Sequence, residues 1–435
     1  MLQPLHINDR KVIASQFHIS VEQFDALVNS AHHAYEFLKI MGPFYGQEDN
    51  HEPTFRVASE PVRLPVGSQQ LLTDFGNDLV RLGRSLPKLP TTYQKLLGNG
   101  LDFRIPLTFR IDAILDENEK IRVNEIEGMD GASALMMIEQ LTYGLQTFHD
   151  TTIGRLISTF HSIFPTQKII KIAIVRSNIT TNHYTANTYR FMEFMHELSK
   201  GTVQCELYDL EELKGGVTPA WDQFSVVLNE TYFSPEELYK LGIAESQLYA
   251  SGNFNALVNK GLFALVHERA LTSFWKKELG NERFIRIKSL LIPSRFITSE
   301  KELDLARKQG KVVKVTWAQD DMSIANRAQG VAIPVGEIVH SSEERWEFLR
   351  ECIRKGYTVI AQEFVKPTTI QSYLKKKAGL ELVDWYNRTC VKFVVAGNPN
   401  GKEIPSVNIT ATEVTLGPDV IPSGRKCSFT AGILA

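Results

Sequence analysis

Hydrophobic and polar positions separate most sharply between residues 110 and 145. Residues 110–115 (RIDAIL) and 121–127 (IRVNEIE) alternate as two short strands would, and the polar DENEK between them is turn sequence, so the pattern predicts a β-hairpin. On that hairpin Arg110 and Asp112 share one face of the first strand, and Glu125 and Glu127 share one face of the second. Four charged side chains therefore meet on one patch of sheet. Gly128-Met129-Asp130-Gly131-Ala132-Ser133 then forms a glycine-rich turn, behind which Leu135, Ile138, Leu141 and Leu145 follow an apolar periodicity. The free N–H groups opening such a helix favour an anion.

Upstream, Ser20-Val21-Glu22-Gln23 is a capping-box sequence, and Phe24, Leu27, Val28, Ala31, Tyr35 and Leu38 repeat at helical spacing until Gly42-Pro43. Residues 44–70, rich in Pro, Gly and charge, predict an extended connection, with amphipathic helices beyond it. Residues 1–100 are accordingly expected to form a helical cap, and residues 101–165 the hairpin and its helices. Over residues 166–250 strands at 168–177, 203–208 and 224–228 alternate with a helix at 185–198, which implies a small parallel α/β sheet. Ligands of such sheets lie beyond the carboxyl ends of the strands, where Asn178, Asn182 and Glu230 fall.

Residues 251–435 begin with a helical stretch at 256–279 and a polar helix at 301–308. A strand at 311–317 then presents Lys314, a returning strand falls at 330–333, and Trp346, Leu349 and Ile353 line one side of a helix at 343–354. The strand at 357–365 (YTVIAQEFV) ends before Pro367. A hairpin over 391–409 and a polar tail at 424–432 complete the chain.

Composition narrows the setting. Hydrophobic residues at 43% and charged residues at 23% describe an ordinary globular protein, and 435 residues exceed what one core usually holds. A formal net charge of −2 gives no electrostatic footprint for nucleic acid. No apolar run is long enough to span a membrane, and the four cysteines lack metal-ligand spacing, so a reduced, cytoplasmic setting is expected.

Three carboxylates at one spot repel unless they share a cation. Hard oxygen ligands on short strands suit magnesium, which makes Asp112, Glu125 and Glu127 candidate metal ligands. Arg110 offers a fork for a carboxylate or phosphoryl oxygen. A surface hairpin with cross-strand ion pairs is the competing explanation of the same pattern.

The order of these parts resembles a circularly permuted ATP-grasp ligase of the kind represented by glutathionylspermidine synthetase and eukaryotic glutathione synthetase. The likeness rests on Arg110-Ile111-Asp112 followed by Glu125-Ile126-Glu127, and on the run from Lys314 to Pro367. It implies an α/β (α+β) fold: an ATP-grasp fold with the small parallel domain before its nucleotide-clamping region and the helical cap in front. It also implies ATP and magnesium as cofactors, small-molecule carboxylate and amine substrates, and Arg110 as the catalytic residue. Lys314 and, from ALTSFWKKEL, Lys276 would bind nucleotide, and Gln362, Glu363, Phe364 and Val365 would form the strand that pairs with adenine. Glu127 departs from the family's asparagine. Ala318-Gln319-Asp320-Asp321-Met322-Ser323 replaces its glycine-rich phosphate loop, so Asp320 or Asp321 is either a further metal ligand or part of an exposed acidic loop. The expected activity is carboxylate–amine ligation through an acyl phosphate. An inactive nucleotide-binding module and a ligase acting on a protein acceptor are the alternatives.

Overall fold

The computed structural model describes residues 11, 14–15, 20–41, 56–128, 133–177, 185–231, 234–249, 255–317, 331–332, 342–376, 379–399, 401–418 and 428–434. Along the chain, β1 (Arg56–Ala58) and β2 (Val62–Arg63) precede the hairpin of β3 (Thr108–Leu115) and β4 (Ile121–Glu127). Then come β5 (Ile170–Arg176), β6 (Val203–Asp209), β7 (Val226–Glu230) and β8 (Leu248–Tyr249). They are followed by β9 (Ser294–Ile297), β10 (Val312–Trp317), β11 (Val331–Ala332) and β12 (Thr358–Gln362). The last strands are β13 (Thr369–Lys376), β14 (Gly379–Ala396), β15 (Ser406–Gly417) and β16 (Ser428–Ile433).

These strands make three sheets. The largest is mixed and eight-stranded, in the order β13-β1-β16-β15-β14-β3-β4 with β2 paired to β16. A four-stranded sheet β11-β10-β12-β9 is antiparallel throughout. The third, β6-β5-β7-β8, is parallel throughout, as the strand–helix alternation over residues 166–250 leads one to expect.

The eight-stranded sheet is covered on both faces. On one, Phe109, Ile111, Val391 and Phe393 join Leu72, Phe75 and Leu79 of the Ser68–Ser85 helix in a single core, and Phe109 stacks on Phe393 with ring centroids 4.9 Å apart. The helix settles onto the sheet at Gly76, where an added Cβ would lie 2.6 Å from the Phe393 ring. On the other face, Met136 of the Ser133–Thr142 helix packs on Cys390 and Ala411, and Gln140 donates to the Thr412 carbonyl at 2.6 Å.

Three expectations are corrected here. Residues 44–70 are not all connection, because β1 and β2 are stitched into the main sheet, and the Ser68–Ser85 helix belongs to its central core rather than to a separate cap. Strands of three and two residues between prolines are too short for alternation to register. The helical stretch at 256–279 is broken, because polar side chains cap new starts inside it: Asn259 Oδ1 accepts from the Gly261 N–H at 2.7 Å and Glu268 Oε1 from the Ala270 N–H at 3.1 Å.

Candidate active site

The hairpin builds the site, and one slipped residue decides how. Arg110 lies opposite Glu127 and Asp112 opposite Glu125, but Ala113 lies opposite Val123, so Asn124 is bulged out of the ladder. The bulge lets Val123 face the core while Glu125, two positions on, faces the other side. In the sequence this is the slip from Ile121 and Val123 to Ile126. The polar turn is fixed by Asp116, whose Oδ1 accepts from the N–H groups of Asn118 and Lys120 at 2.9 and 3.0 Å.

On the polar face the charges are paired. Arg110 Nε donates to Asp112 Oδ1 at 2.7 Å, its Nη2 reaches Asp112 Oδ2 at 3.3 Å, and it also pairs with Glu127. Arg388 on β14 stands 3.8 Å from Asp112. Two lysines reach Glu125 or its neighbour from outside the hairpin. Lys260 Nζ lies 2.8 Å from Glu125 Oε1, and Lys314 Nζ donates to the Asn124 carbonyl at 2.8 Å. Asn259 positions Lys260 by donating to the carbonyls of Leu97 and Thr316, the latter on the same strand as Lys314.

Burial raises the cost of charge here, and the partners decide its sign. Burial pushes the Glu125 carboxyl up, but Lys260 and Lys314 outweigh it and hold the group down at about 2. Burial works against the Lys260 ammonium too, and Glu125 more than offsets it, so its pKa is raised. For Lys314 burial wins over the attraction of Glu125, and its pKa falls to about 8.

The structure brings Arg110, Asp112, Glu125, Glu127 and Lys314 together. It leaves Lys276 exposed in the last turn of the Thr272–Leu279 helix, and Lys260 stands in the cluster instead. Lys260, Arg388 and Lys392 were not singled out by the sequence. Their signals were slight: a polar Asn259-Lys260 pair inside an apolar run, and a lone lysine in VKFVVA. Gln362 ends β12 and its amide reaches Ser294 Oγ at 3.3 Å, while Glu363 donates its N–H to Pro293 and pairs with Lys311. Phe364 and Val365 are half-buried in the link from β12 to β13, which is tied to the hairpin where the Thr368 N–H donates to the Leu115 carbonyl at 2.8 Å. Asn178, Asn182, Asp320 and Asp321 lie outside the described residues. Glu230 pairs with Arg176 at 3.1 Å.

Among the described residues no three His, Cys, Asp or Glu side chains converge as a metal-binding set. Asp112 and Glu125 face one another, yet Arg110 engages Asp112 and Glu127, and Lys260 engages Glu125. In this arrangement the three carboxylates do not fit an open magnesium site. No helix among the described residues is long and apolar enough to cross a membrane.

No family model and no curated protein matches the sequence. Among solved structures, a glutathione synthetase-like effector from Globodera pallida, in its apo form, matches with a TM-score of 0.59 over 95% of this chain and 97% of that one, at 11% identity. A protein assigned as gamma-glutamylcysteine synthetase from Methylobacillus flagellatus gives 0.40 over 83% and 85%, at 12% identity. D-alanyl-alanine synthetase A from Vibrio cholerae gives 0.25 over 52% and 67%, at 13% identity. Scores that low carry no argument. The first likeness is one of fold alone: the chain shares its mixed α/β fold with that effector.

Proposed function

We propose that the protein is an ATP-dependent ligase that joins a small-molecule carboxylate to an amine through an acyl phosphate, on a circularly permuted ATP-grasp fold. The observation that carries this reading is the convergence of Lys260 and Lys314, from two other parts of the chain, on the hairpin that bears Arg110. Cations gathered at that cost in desolvation suit a polyanionic substrate.

Lys260 and Lys314 would hold the phosphates of ATP, and the link Gln362-Glu363-Phe364-Val365 would take the adenine edge. A carboxylate oxygen of the acyl donor attacks the γ-phosphorus and ADP leaves. Arg110, freed from one of its carboxylates, neutralises charge on the transferring phosphoryl group. The amine nitrogen then attacks the acyl carbon, loses a proton and expels phosphate. Magnesium carried in with ATP would meet Asp112, Glu125 and Glu127 in competition with Arg110 and Lys260.

The pairing of all three carboxylates is also what an inactive nucleotide-binding module would display. Thermal midpoints with ATP, ADP and a non-hydrolysable analogue, for wild type and Lys314→Ala, separate the readings when combined with an assay of ADP release. Ligand binding to the folded state raises the midpoint by mass action. A rise lost in the variant, together with ADP release in the presence of a carboxylate and an amine, supports the ligase. A rise without ADP release from any mixture supports the module. No rise removes the nucleotide from either.

A further inference from the structure

We infer that Arg388 is a second arginine acting on the transferring phosphoryl group, facing Arg110 across Asp112, an inference that rests on the ligase reading. Arg388 lies on β14, two positions before Cys390. In the β14–β3 ladder Cys390 stands opposite Asp112, and Lys392 opposite Arg110. Side chains two apart on a strand share a face, so Arg388 is on the face of Arg110 and Asp112, past Asp112 from Arg110. The two guanidinium groups therefore come to one carboxylate from opposite ends. Arg110 Nε donates to Asp112 Oδ1 at 2.7 Å, and Arg388 Nη1 stops 3.8 Å from Oδ2.

Arg388 differs from its neighbours in how little it holds. Charge-assisted N–H···O bonds run to about 2.7–2.9 Å, and Arg110, Lys260 and Lys314 each have an acceptor at 2.7 or 2.8 Å. Among the described residues, the acceptors in reach of Arg388 are Thr415 Oγ1, opposite it on β15, at 3.5 Å and Asp112 at 3.8 Å. Its Nε is shut off from water and has no hydrogen-bond partner among them. The guanidinium has given up hydration for little in return, a loss that a bound oxyanion recovers. With its side chain 26% exposed, the fork is within reach of a ligand lying on the hairpin's charges. The cost of recruiting the two arginines also differs: a phosphoryl oxygen takes Arg110 from a close ion pair, but Arg388 only from a long contact. In-line transfer spreads charge over three equatorial oxygens. With the phosphates proposed to lie at Lys260 and Lys314, Arg110 and Arg388 stand on two flanks of the group in flight, and each fork can donate to a different oxygen.

The test uses the full-length protein with magnesium and ADP, with and without aluminium fluoride, which beside ADP mimics the phosphoryl group in transfer. Affinity is read from the thermal midpoint. Aluminium fluoride is expected to tighten ADP binding to wild type roughly a hundredfold or more. In Arg388→Met that tightening should be lost, while the midpoint with ADP alone rises as it does in wild type. Tightening that survives in Arg388→Met, or that is absent from a wild type which binds ADP, overturns the inference. So does loss of the response to ADP itself in the variant, which would make Arg388 a ground-state contact. If wild type does not respond to ADP, the ligase reading fails on its own. The arginine is then judged by the midpoint with inorganic phosphate alone: a rise lost in Arg388→Met sustains an oxyanion site there, and no rise, or a retained one, overturns it. Should Arg388→Met not fold, Arg388→Gln takes its place in every arm.

Discussion

Lys314 leaves its own sheet to donate to the carbonyl of Asn124, 2.8 Å away, and Asn124 is the bulged residue of the hairpin. The bulge frees that carbonyl from the ladder, and the lysine ties the antiparallel β9–β12 sheet to the strand bearing Glu125 and Glu127. The proposed nucleotide site and the hairpin are thereby joined.

If Lys314 binds phosphate, Lys314→Ala should weaken ATP binding by about 1.5–3 kcal/mol, roughly ten- to a hundredfold. The pH dependence is specific. With its pKa near 8 in the folded protein, the lysine is charged below that and neutral above it, so ATP affinity should decline as pH rises through about 8. Stability moves the other way. Between about 8 and 10.5 the unfolded chain keeps the proton that the folded chain has lost, and stability rises across that window. Binding titrations of wild type and Lys314→Arg from pH 7 to 9.5 check the first point: arginine stays charged throughout, so a decline of equal steepness in both proteins would assign it to another group.

Lys260 and Lys276 separate what the structure shows from what the sequence suggested. Lys260 is buried against Glu125, and Lys276 is exposed on a helix turn. Lys260→Met should weaken nucleotide binding roughly tenfold or more, and Lys276→Ala should leave it unchanged within error. The reverse result would return the nucleotide to the Thr272–Leu279 helix.

Much of this was legible because periodicity is local. Alternation in RIDAIL and IRVNEIE gave the hairpin, and the slip from Val123 to Ile126 already encoded the bulge. Lys260 and Lys392 were not legible, since each acquires meaning from strands more than a hundred residues away. β1 and β2 were missed for the related reason that their partners, β13 and β16, lie at the far end of the chain.

Arg110→Ala tests catalysis and stability separately. As a group acting on the transferring phosphoryl, Arg110 should lower turnover by roughly 10²–10³ when removed, with ATP affinity nearly intact. Structurally the change strips Asp112, whose side chain is 4% exposed, of its bidentate partner, and loss of one member of a buried pair costs about 3–5 kcal/mol. Arg388, 3.8 Å away, should hold the loss to the lower end. Denaturant midpoints measure the second effect. Equal loss of turnover and of ATP affinity would place Arg110 in ground-state binding instead.

Two glutamates should pull the pH–stability curve in opposite directions. Glu125, held at about 2 against a usual 4.5, contributes stability that is present above about 4.5 and is lost as pH falls towards 2. Glu139 is the reverse case. It is fully buried, neither carboxylate oxygen has a hydrogen-bond partner among the described residues, and burial followed by the charge of Glu413 pushes its pKa well up. Above about 4.5 the unfolded chain gives up this proton while the folded chain keeps it, so stability falls as pH rises. Glu139→Gln keeps the shape, has no proton to lose and removes that slope. Its advantage over wild type should therefore be small at pH 4 and grow towards pH 8, whereas Glu125→Gln should be most damaging near neutrality and least so in acid. Thermal midpoints of the three proteins across that range test both signs together. A Glu139→Gln curve parallel to wild type would mean that Glu139 ionises in the folded chain as readily as in the unfolded one.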